Sequence, residues 1–302
     1  MTPSSKTNLL VVGIGEVLWD LLPDGKKIGG APANFAYHVS QFGLRGCVVS
    51  AIGFDALGDE IISDFAAKSL NSELQRVDYP TGTVKVELNA DGIPAYDITE
   101  NVAWDNIPFT ATLRDMARRT KAVCFGSLAR RCPVSRETIA EFLDSIDPTN
   151  DPLIVFDINL RQHYYSRELI IDSLQRCNIL KINDEELEII SDLLNLPGES
   201  VSDRCKFLVK AYGLHILILT CGTNGSYVFT PDGYFFRPTP VVEVADTVGA
   251  GDSFTAAFIA SLLRGDSIEQ AHERATLVSA YVCTRNGAMP LLPEELTPGL
   301  QQ

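Results

Sequence analysis

The chain has 302 residues, 45% of them apolar and 21% charged, which are the proportions of a globular protein with a sizeable core. This composition excludes disordered and fibrous proteins. The formal net charge is −14 and the sequence contains no basic stripe, so we exclude nucleic acid as a partner.

The first apolar run, residues 9–15, is followed at once by Glu16 and Asp20. It is too short and too closely flanked by acidic residues for a signal peptide or a membrane span. The seven cysteines contain no CxxC pair, which is typical of reduced thiols in a cytosolic protein. We therefore expect a cytoplasmic protein that has no membrane partner.

Short apolar, β-branched runs alternate with amphipathic helical stretches along the chain. This alternation predicts a layered α/β domain with a mainly parallel sheet. The predicted strands are 9–15, 46–52, 122–126, 153–158, 179–182, 215–220 and 227–230. The predicted helices are 33–42, 57–69, 110–119, 135–146, 185–194, 202–212, 252–264 and 268–284.

One segment departs from this rhythm. Residues 83–89 alternate polar and apolar side chains, and Asp91 and Gly92 then supply a turn. Residues 93–98 return with Pro94, which suits an edge strand. The pattern predicts a half-exposed hairpin that projects from the main domain. Such a hairpin could serve as a lid or an oligomer contact, and an ordinary surface hairpin is an equal alternative.

The most informative stretch is DTVGAGDSF at residues 246–254, because a helix is predicted to begin near its second aspartate, Asp252. Gly249, Ala250 and Gly251 leave backbone N–H groups uncovered where that helix begins, and such groups bind an anion together with the helix dipole. Asp252 is either an ordinary first-turn acid or a base beside a transferring phosphoryl group. The dipole predicts that it is a weak base.

A second glycine-containing segment, GGAPANFA at residues 29–36, leads into another predicted helix. It is either only a turn and a helix start or a place where a polyol approaches the backbone closely. Asn34 offers both hydrogen-bond donors and acceptors to such a ligand. Asp20, which we place at the end of the N-terminal strand, could accept hydrogen bonds from neighbouring sugar hydroxyls.

Two rival phosphate-binding motifs are absent or incomplete. The sequence contains no G-x-x-x-x-G-K-[ST], so it does not encode a P-loop. Gly13 and Gly15 follow a strand, but Leu18 stands where a dinucleotide-binding motif has its third glycine. A dinucleotide fold is therefore a weaker interpretation than a site built around residues 246–254.

Residues 246–258 resemble the C-terminal signature of the ribokinase-like (phosphofructokinase B-type) carbohydrate kinases. Residues 29–36 are also similar to that family, and are closer to its fructokinases than to its ribokinases. The resemblance implies a three-layer α/β/α fold with a small β-lid. It implies one domain over residues 1–302, with lid elements at about 16–28 and 80–108. The implied reaction is transfer of the γ-phosphate of ATP to a sugar hydroxyl, with Mg²⁺ accompanying the nucleotide and K⁺ as an activator.

The resemblance also implies a role for individual residues, with Asp252 as the catalytic base. The residues that match the anion hole are Gly249, Ala250 and Gly251. Those that match the sugar site are Asp20, Gly29, Gly30, Asn34 and Arg161. Those that match the nucleotide site are Asn183, Glu186, Thr220, Gly222 and Gly225. Those that match the potassium site are the carboxylate of Asp246 and the carbonyls of Val248, Val282, Arg285 and Gly287.

Several alternatives stay open at this point. Arg161 contacts either the transferred phosphate or the sugar, or forms only a surface salt bridge. Trp19 and residues 100–105 depart from the fructokinase pattern, so the substrate could instead be ribose, a 2-keto-3-deoxy sugar acid, a nucleoside or a sugar phosphate. A non-catalytic sugar or nucleotide sensor on the same fold is a further alternative. The hairpin at 83–98 could also mediate a homodimer.

Overall fold

The computed structural model of the protein describes residues 9–22, 25–88 and 94–297. Thirteen strands are present in these residues. They are β1 (Leu10–Ile14), β2 (Leu18–Leu22), β3 (Gly25–Gly29), β4 (Arg45–Ile52), β5 (Asn71–Arg76), β6 (Gly82–Leu88), β7 (Pro94–Ile98), β8 (Thr120–Phe125), β9 (Leu153–Asp157), β10 (Ile179–Asn183), β11 (Ile216–Thr220), β12 (Ser226–Thr230) and β13 (Gly233–Arg237).

Nine of the strands form one sheet in the order β13-β12-β11-β10-β9-β8-β1-β4-β5. The seven strands from β11 to β5 are parallel to one another. The two outermost strands, β12 and β13, pair antiparallel at the other edge. The predicted, mainly parallel sheet is therefore confirmed. Its inner strands are buried on both faces, which explains their nearly continuous apolar sequence.

Helices cover both faces of this sheet. They are α1 (Ala31–Ser40), α2 (Ala56–Ala67), α3 (Ala111–Arg119), α4 (Pro133–Asp144), α5 (Arg167–Arg176), α6 (Asp184–Leu194), α7 (Val201–Tyr212), α8 (Ala250–Arg264) and α9 (Ile268–Cys283). Helices α3 to α7 pack with one set of alternate strand residues, and α1, α8 and α9 pack with the other. The three-layer α/β/α architecture is confirmed.

The other four strands form a separate sheet in the order β3-β2-β6-β7. The predicted hairpin is present as β6 and β7, which pair antiparallel, whereas its predicted turn at Asp91 and Gly92 lies outside the described residues. Strand β2 pairs with both β3 and β6. This small sheet contains most of the predicted lid segments, and its action as a lid stays a prediction.

The position of Asp20 corrects the sequence analysis. The first strand ends at Ile14, and the chain then turns at Gly15, which has a φ of 148°. Asp20 lies on β2 in the small sheet, not at the end of the central strand. The apolar residues 17–19, which follow Gly15 and Glu16, had suggested that the strand continued to Asp20, because an isolated glycine in a strand pattern also occurs at a bulge.

Four further elements were not predicted as separate strands or helices. Strands β3, β5 and β13 and helix α5 are half-exposed, and their sequences mix charged and apolar residues. Elements of this kind lack the apolar run on which the predictions relied. In the described part of the chain, no helix is long and apolar enough to cross a membrane.

Candidate active site

The carboxyl ends of the parallel strands meet at one edge of the central sheet, which is where α/β proteins bind their ligands. Several residues that carry polar groups lie at this edge because they end a strand or directly follow one. They are Glu16, Ser127, Asp157, Asn183 and Thr220. Helices α1 and α8 add Asn34 and Asp252 to the same region, where Asp157, Asn159 and Asp252 line one small pocket.

The phosphate-binding turn predicted at residues 249–251 stands at the start of α8. Helix α8 begins at Ala250, two residues earlier than predicted, and Gly249 precedes it with a φ of 78°. A Cβ on Gly249 would lie 2.6 Å from the Cβ of Ala288, so the turn requires glycine for both conformation and space. The Ala250 amide donates a long hydrogen bond to the Thr247 carbonyl at 3.3 Å, so it is not entirely free to bind an anion.

Asp252 lies in the first turn of α8 and contacts the sugar-binding segment. Asn34 Nδ2 donates a hydrogen bond to Asp252 Oδ2 at 2.8 Å, although 218 positions separate the two residues. Burial, and next the charge of Asp157, raise the pKa of Asp252 to about 6. The prediction that the helix dipole makes Asp252 a weak base is therefore wrong, because burial raises the pKa of this carboxyl by more than the dipole of α8 lowers it. A carboxylate with this pKa is still ionised at neutral pH.

The sugar-binding segment is shaped by close approaches to its glycines. A Cβ on Gly29 would lie 2.5 Å from Asp20 Oδ2, so the missing side chain makes room for that carboxylate. A Cβ on Gly30, which has a φ of 115°, would lie 2.4 Å from the Glu16 carbonyl oxygen. The structure thus places Asp20, Gly29, Gly30 and Asn34 around the start of α1. Burial raises the pKa of Asp20 to about 6.

Glu16 is an acidic residue of this site that the sequence analysis did not select. Its side chain is buried, and its Oε2 atom has no hydrogen-bond partner among the described residues. Burial, and to a lesser extent the charge of Asp252, raise the pKa of Glu16 to about 7. Its place directly after a buried strand of a parallel sheet was the available signal. An unpartnered buried carboxylate is an available acceptor for a ligand hydroxyl.

Arg161 lies in a loop whose backbone is strained on both sides of it. Asn159 and Gln162 have φ values of 42° and 48°, which are uncommon for residues with a side chain. The positive charge of Arg161 lowers the pKa of Asp252, of Glu16 and of Asp20. Arg161 therefore acts electrostatically on both the phosphate end and the sugar end, and its side chain is exposed to an incoming ligand.

The predicted nucleotide residues Asn183 and Glu186 form a capping box at the start of α6. Glu186 Oε2 accepts from the Asn183 amide at 3.0 Å, and Oε1 accepts from the Leu160 amide at 3.0 Å. Glu186 therefore anchors the loop that carries Arg161. This contact is structural, and a role for the pair in organising the waters of a magnesium–nucleotide complex stays a prediction.

The second predicted nucleotide segment follows β11, at the same edge of the central sheet. Its turn is closed by a hydrogen bond from the Cys221 amide to the Gly225 carbonyl at 2.9 Å. Gly222 is exposed, and its carbonyl accepts from Thr239 Oγ1 at 2.6 Å. Thr220 ends β11, Gly222 is exposed and Gly225 is buried at the end of the turn. The contact of these three residues with ATP stays a prediction.

The residues predicted for a potassium site lie together beside the phosphate turn. Asp246 Oδ2 accepts from the Gly287 amide and Oδ1 from the Val248 amide, both at 3.0 Å. The Asp246 amide donates to the Cys283 carbonyl at the end of α9. A carboxylate at a helix C-terminus, where carbonyls point outward, suits a monovalent cation. Lys27 Nζ lies 3.7 Å from Asp246 Oδ2 and competes for this carboxylate.

A model of the pfkB family of carbohydrate kinases matches residues 24–295 of the chain. The chain belongs to the pfkB carbohydrate kinase family. This membership confirms the family resemblance found in the sequence and makes the protein an ATP-binding sugar kinase. The identity of its sugar is a separate question, because members of the family act on different substrates.

Relatives of this carbohydrate kinase cover nearly its full length. Fructokinase-2 of Zea mays is 26% identical over 317 residues, which cover 96% of this chain and 93% of that protein. The ATP-dependent 6-phosphofructokinase of Thermoanaerobacterium thermosaccharolyticum is 27% identical over 301 residues, covering 94% and 91%. The crystal structure of an uncharacterized sugar kinase from Pyrococcus horikoshii in complex with ATP has a TM-score of 0.75 and 26% identity, covering 93% and 94%.

The two departures from the fructokinase pattern have structural roles in this kinase. Trp19 is buried among apolar residues, and its Nε1 donates to the Leu57 carbonyl at 3.0 Å. Because side chains alternate along a strand, Trp19 faces away from its neighbour Asp20. Trp104 is fully buried, and a Cβ on Gly82 would lie 2.3 Å from its Nε1. Both indoles are therefore packed into the protein interior.

The space around Gly249 generates a prediction. We expect Gly249→Ala to cost about 1–2 kcal/mol for the left-handed backbone and about 1–3 kcal/mol more for the clash with Ala288. Turnover should fall on the order of tenfold or more, because the amides of the turn are displaced. Thermal unfolding and steady-state turnover measure the two effects.

The matched control is Gly213→Ala at the end of α7. Gly213 has a φ of 63°, and no atom lies within 4 Å of its added Cβ. This control should show the conformational cost alone and unchanged turnover. Equal behaviour of the two variants would contradict the structural requirement for glycine in the phosphate turn.

Proposed function

We propose that this sugar kinase transfers the γ-phosphate of ATP to a primary hydroxyl of fructose or a closely related sugar, with Asp252 as the base. The observation that carries the proposal is the 2.8 Å hydrogen bond from Asn34 to Asp252. It brings a residue of the glycine-rich sugar segment against the acid of the phosphate turn. A hydroxyl held by Asn34 would lie within reach of both the base and the phosphoryl group.

The proposed chemistry is proton removal coupled to in-line displacement at phosphorus. Asp252 accepts the proton of the sugar hydroxyl, the sugar oxygen bonds to the γ-phosphorus, and the bond to the β-phosphate oxygen breaks to release ADP. The transition state is loose, so the hydroxyl loses its proton late and a carboxylate suffices as the base. The amides at residues 249–251 and the guanidinium of Arg161 stabilise the negative charge of the transferring group.

We propose that Mg²⁺ enters the site with ATP. Among the described residues, no group of three or more His, Cys, Asp or Glu side chains could hold a metal ion by itself. Mg²⁺ usually keeps several waters and binds through few carboxylates plus the phosphates, so the residues present fit it as a nucleotide-borne ion. When bound, it would neutralise charge on the β- and γ-phosphates.

The carboxyl and amide groups of the sugar end favour an uncharged polyol. Asp20, Glu16 and Asn34 supply hydrogen-bond acceptors for hydroxyl groups. A sugar phosphate would require several cations, but Lys26 is paired with Glu60 and Lys27 faces Asp246. Of the three basic residues considered for a sugar phosphate, this leaves Arg161, which the proposal assigns to the transferring group. An acidic sugar would meet the half-buried carboxylate of Asp20 and the buried carboxylate of Glu16. Fructose is also the sugar named for the kinase from Zea mays.

The base assignment predicts the effect of a substitution that keeps the shape of Asp252. We expect Asp252→Asn to lower kcat by about 10²- to 10⁴-fold, because no proton acceptor remains, while ATP still binds. Coupled ADP release over a panel of sugars measures turnover, and calorimetry measures ATP binding. Asp203→Asn, in the exposed first turn of α7, is the matched control and should keep full turnover. Turnover of Asp252→Asn equal to that of the control would refute the base.

A second prediction separates the sugar end from the phosphate end. We expect Asp20→Ala to raise the sugar KM about 5- to 150-fold, which corresponds to about 1–3 kcal/mol for hydroxyls left unpaired, with little change in the ATP KM. Arg161→Ala should instead lower kcat more than sugar affinity, because its charge lies near the transferring group. Steady-state kinetics with both substrates varied distinguish the two patterns. An unchanged sugar KM in Asp20→Ala would refute this sugar site.

A third prediction concerns the monovalent cation. We expect K⁺ to raise turnover more than Na⁺ at fixed ionic strength, because Asp246 and nearby carbonyls suit the larger ion. Lys27→Met should lower the K⁺ concentration for half-activation about two- to fivefold, the equivalent of one exposed ion pair. Lys26→Met, whose partner is Glu60, should leave that concentration unchanged. Equal turnover in K⁺-free and K⁺-rich buffer would count against the cation site.

A further inference from the structure

The inner strand β10 carries a lysine, Lys181, which pairs in the central sheet with Ile218 on β11 and with Asp157 on β9. Lys181 is 4% exposed and Asp157, on the adjacent strand β9, is 3% exposed. Lys181 Nζ lies 3.2 Å from Asp157 Oδ1. Burying two charges costs several kcal/mol per ion before their attraction is counted, so such a pair is weak evidence for stability. Stability therefore does not explain why this ion pair is buried beside the site.

The ion pair lies directly beneath the phosphate turn. A Cβ on Gly251 would lie 2.9 Å from Lys181 Nζ, so the missing side chain lets the ammonium approach the first turn of α8. On the other side of the pair, Asp157 Oδ2 accepts from Thr255 Oγ1 at 2.9 Å. The same hydroxyl oxygen lies 3.1 Å from the Gly251 carbonyl oxygen. Both members of the pair thus contact the helical turn that carries Asp252.

The groups around Asp252 differ in charge and in exposure. The acidic groups are Glu16, which follows β1, Asp157 on β9 and Glu186 on α6. The neutral groups are Asn34 on α1 and the buried thiol of Cys124 on β8, whose pKa is raised by burial. The positive charges are Arg161, which is exposed, and Lys181. Lys181 is thus the buried cation that opposes these carboxylates.

We propose that Lys181 is a positioning residue that keeps Asp252 ionised at neutral pH and supplies a fixed positive charge behind the phosphate turn. This role rests on the proposed function, since it acts through Asp252 as the base. Within that reaction, Lys181 does not touch the sugar or the phosphate. It acts through the gap at Gly251, and Asp157 holds its ammonium in place.

The two members of the pair act on Asp252 with opposite signs. The charge of Lys181 lowers the pKa of Asp252, whereas the charge of Asp157 raises it. Burial opposes the charged form of Lys181, but the carboxylates of Asp157, Glu186 and Asp252 outweigh it and the pKa of Lys181 is raised. The ammonium therefore stays charged over the whole range in which Asp252 titrates. Removing one partner should move that titration in one direction, and removing the other should move it in the opposite direction.

The experiment compares Lys181→Met with Asp157→Asn. For Lys181→Met we expect the acid limb of the kcat–pH profile to move up by about 1–2 pH units, so that turnover at pH 6 falls about tenfold and recovers in alkaline buffer. For Asp157→Asn we expect the limb to move to lower pH. The double variant, in which both charges are absent, should return towards the wild-type profile.

A second readout does not depend on turnover. The carboxyl carbon resonance of Asp252, assigned by its loss in Asp252→Asn, should titrate at higher pH in Lys181→Met and at lower pH in Asp157→Asn. Thermal unfolding shows which variants are folded, and if Lys181→Met does not fold, Lys181→Gln, which also removes the charge but keeps a polar end, takes its place. A titration that stays at the wild-type pH in the folded variants would overturn the role of Lys181. Absence of wild-type turnover on every sugar would instead refute the proposed function, and the resonance titration would still test Lys181.

Discussion

The hydrogen bond between Asn34 and Asp252 is the contact on which the organisation of this site depends. It joins the first turn of α1 to the first turn of α8, and these two helices pack side by side on one face of the central sheet. Helix α1 begins directly after the glycine pair Gly29 and Gly30, which borders the small sheet. Helix α8 begins at the phosphate turn. Because the two helix starts are held together, the proposed sugar end and the proposed phosphate end of the site lie at a single place.

Three glycines of the site leave space that atoms of other residues occupy. The missing side chain at Gly29 is replaced by the carboxylate of Asp20, and the one at Gly251 by the ammonium of Lys181. At Gly249 the space is taken by Ala288, whose carbonyl oxygen lies 2.8 Å from Nε2 of the buried His38 on α1. Burial lowers the pKa of His38 to about 4, so this histidine is neutral near pH 7. The phosphate turn is therefore supported from α1 by packing and hydrogen bonding without added charge.

The protein is acidic overall, so anion binding depends on where its positive charges lie. The chain carries a net charge of −14, yet it binds a polyanionic nucleotide. Long-range attraction does not explain this binding, because the mean field of the protein repels anions. In the proposed site the attraction is local, and it comes from the amides at the start of α8, the guanidinium of Arg161 and the buried ammonium of Lys181. Each acts over a few ångströms, where a low local dielectric strengthens its effect.

The sequence by itself determined the layered α/β class, the mainly parallel sheet and the motifs that identify the kinase family. Apolar periodicity encodes strands and helices, and glycine-rich turns followed by helices encode anion sites, so both are readable along the chain. The sequence did not determine that Asp20 lies on a separate sheet, because apolar residues resume at 17–19 after the turn at Gly15 and look like a continuation of the strand. It also did not disclose Glu16, Lys181 or Asp157 as a set. Their pKa values and contacts arise from burial and from approaches between strands and helices far apart in the chain. Only the tertiary structure decided those distances, and with them the electrostatics of Asp252.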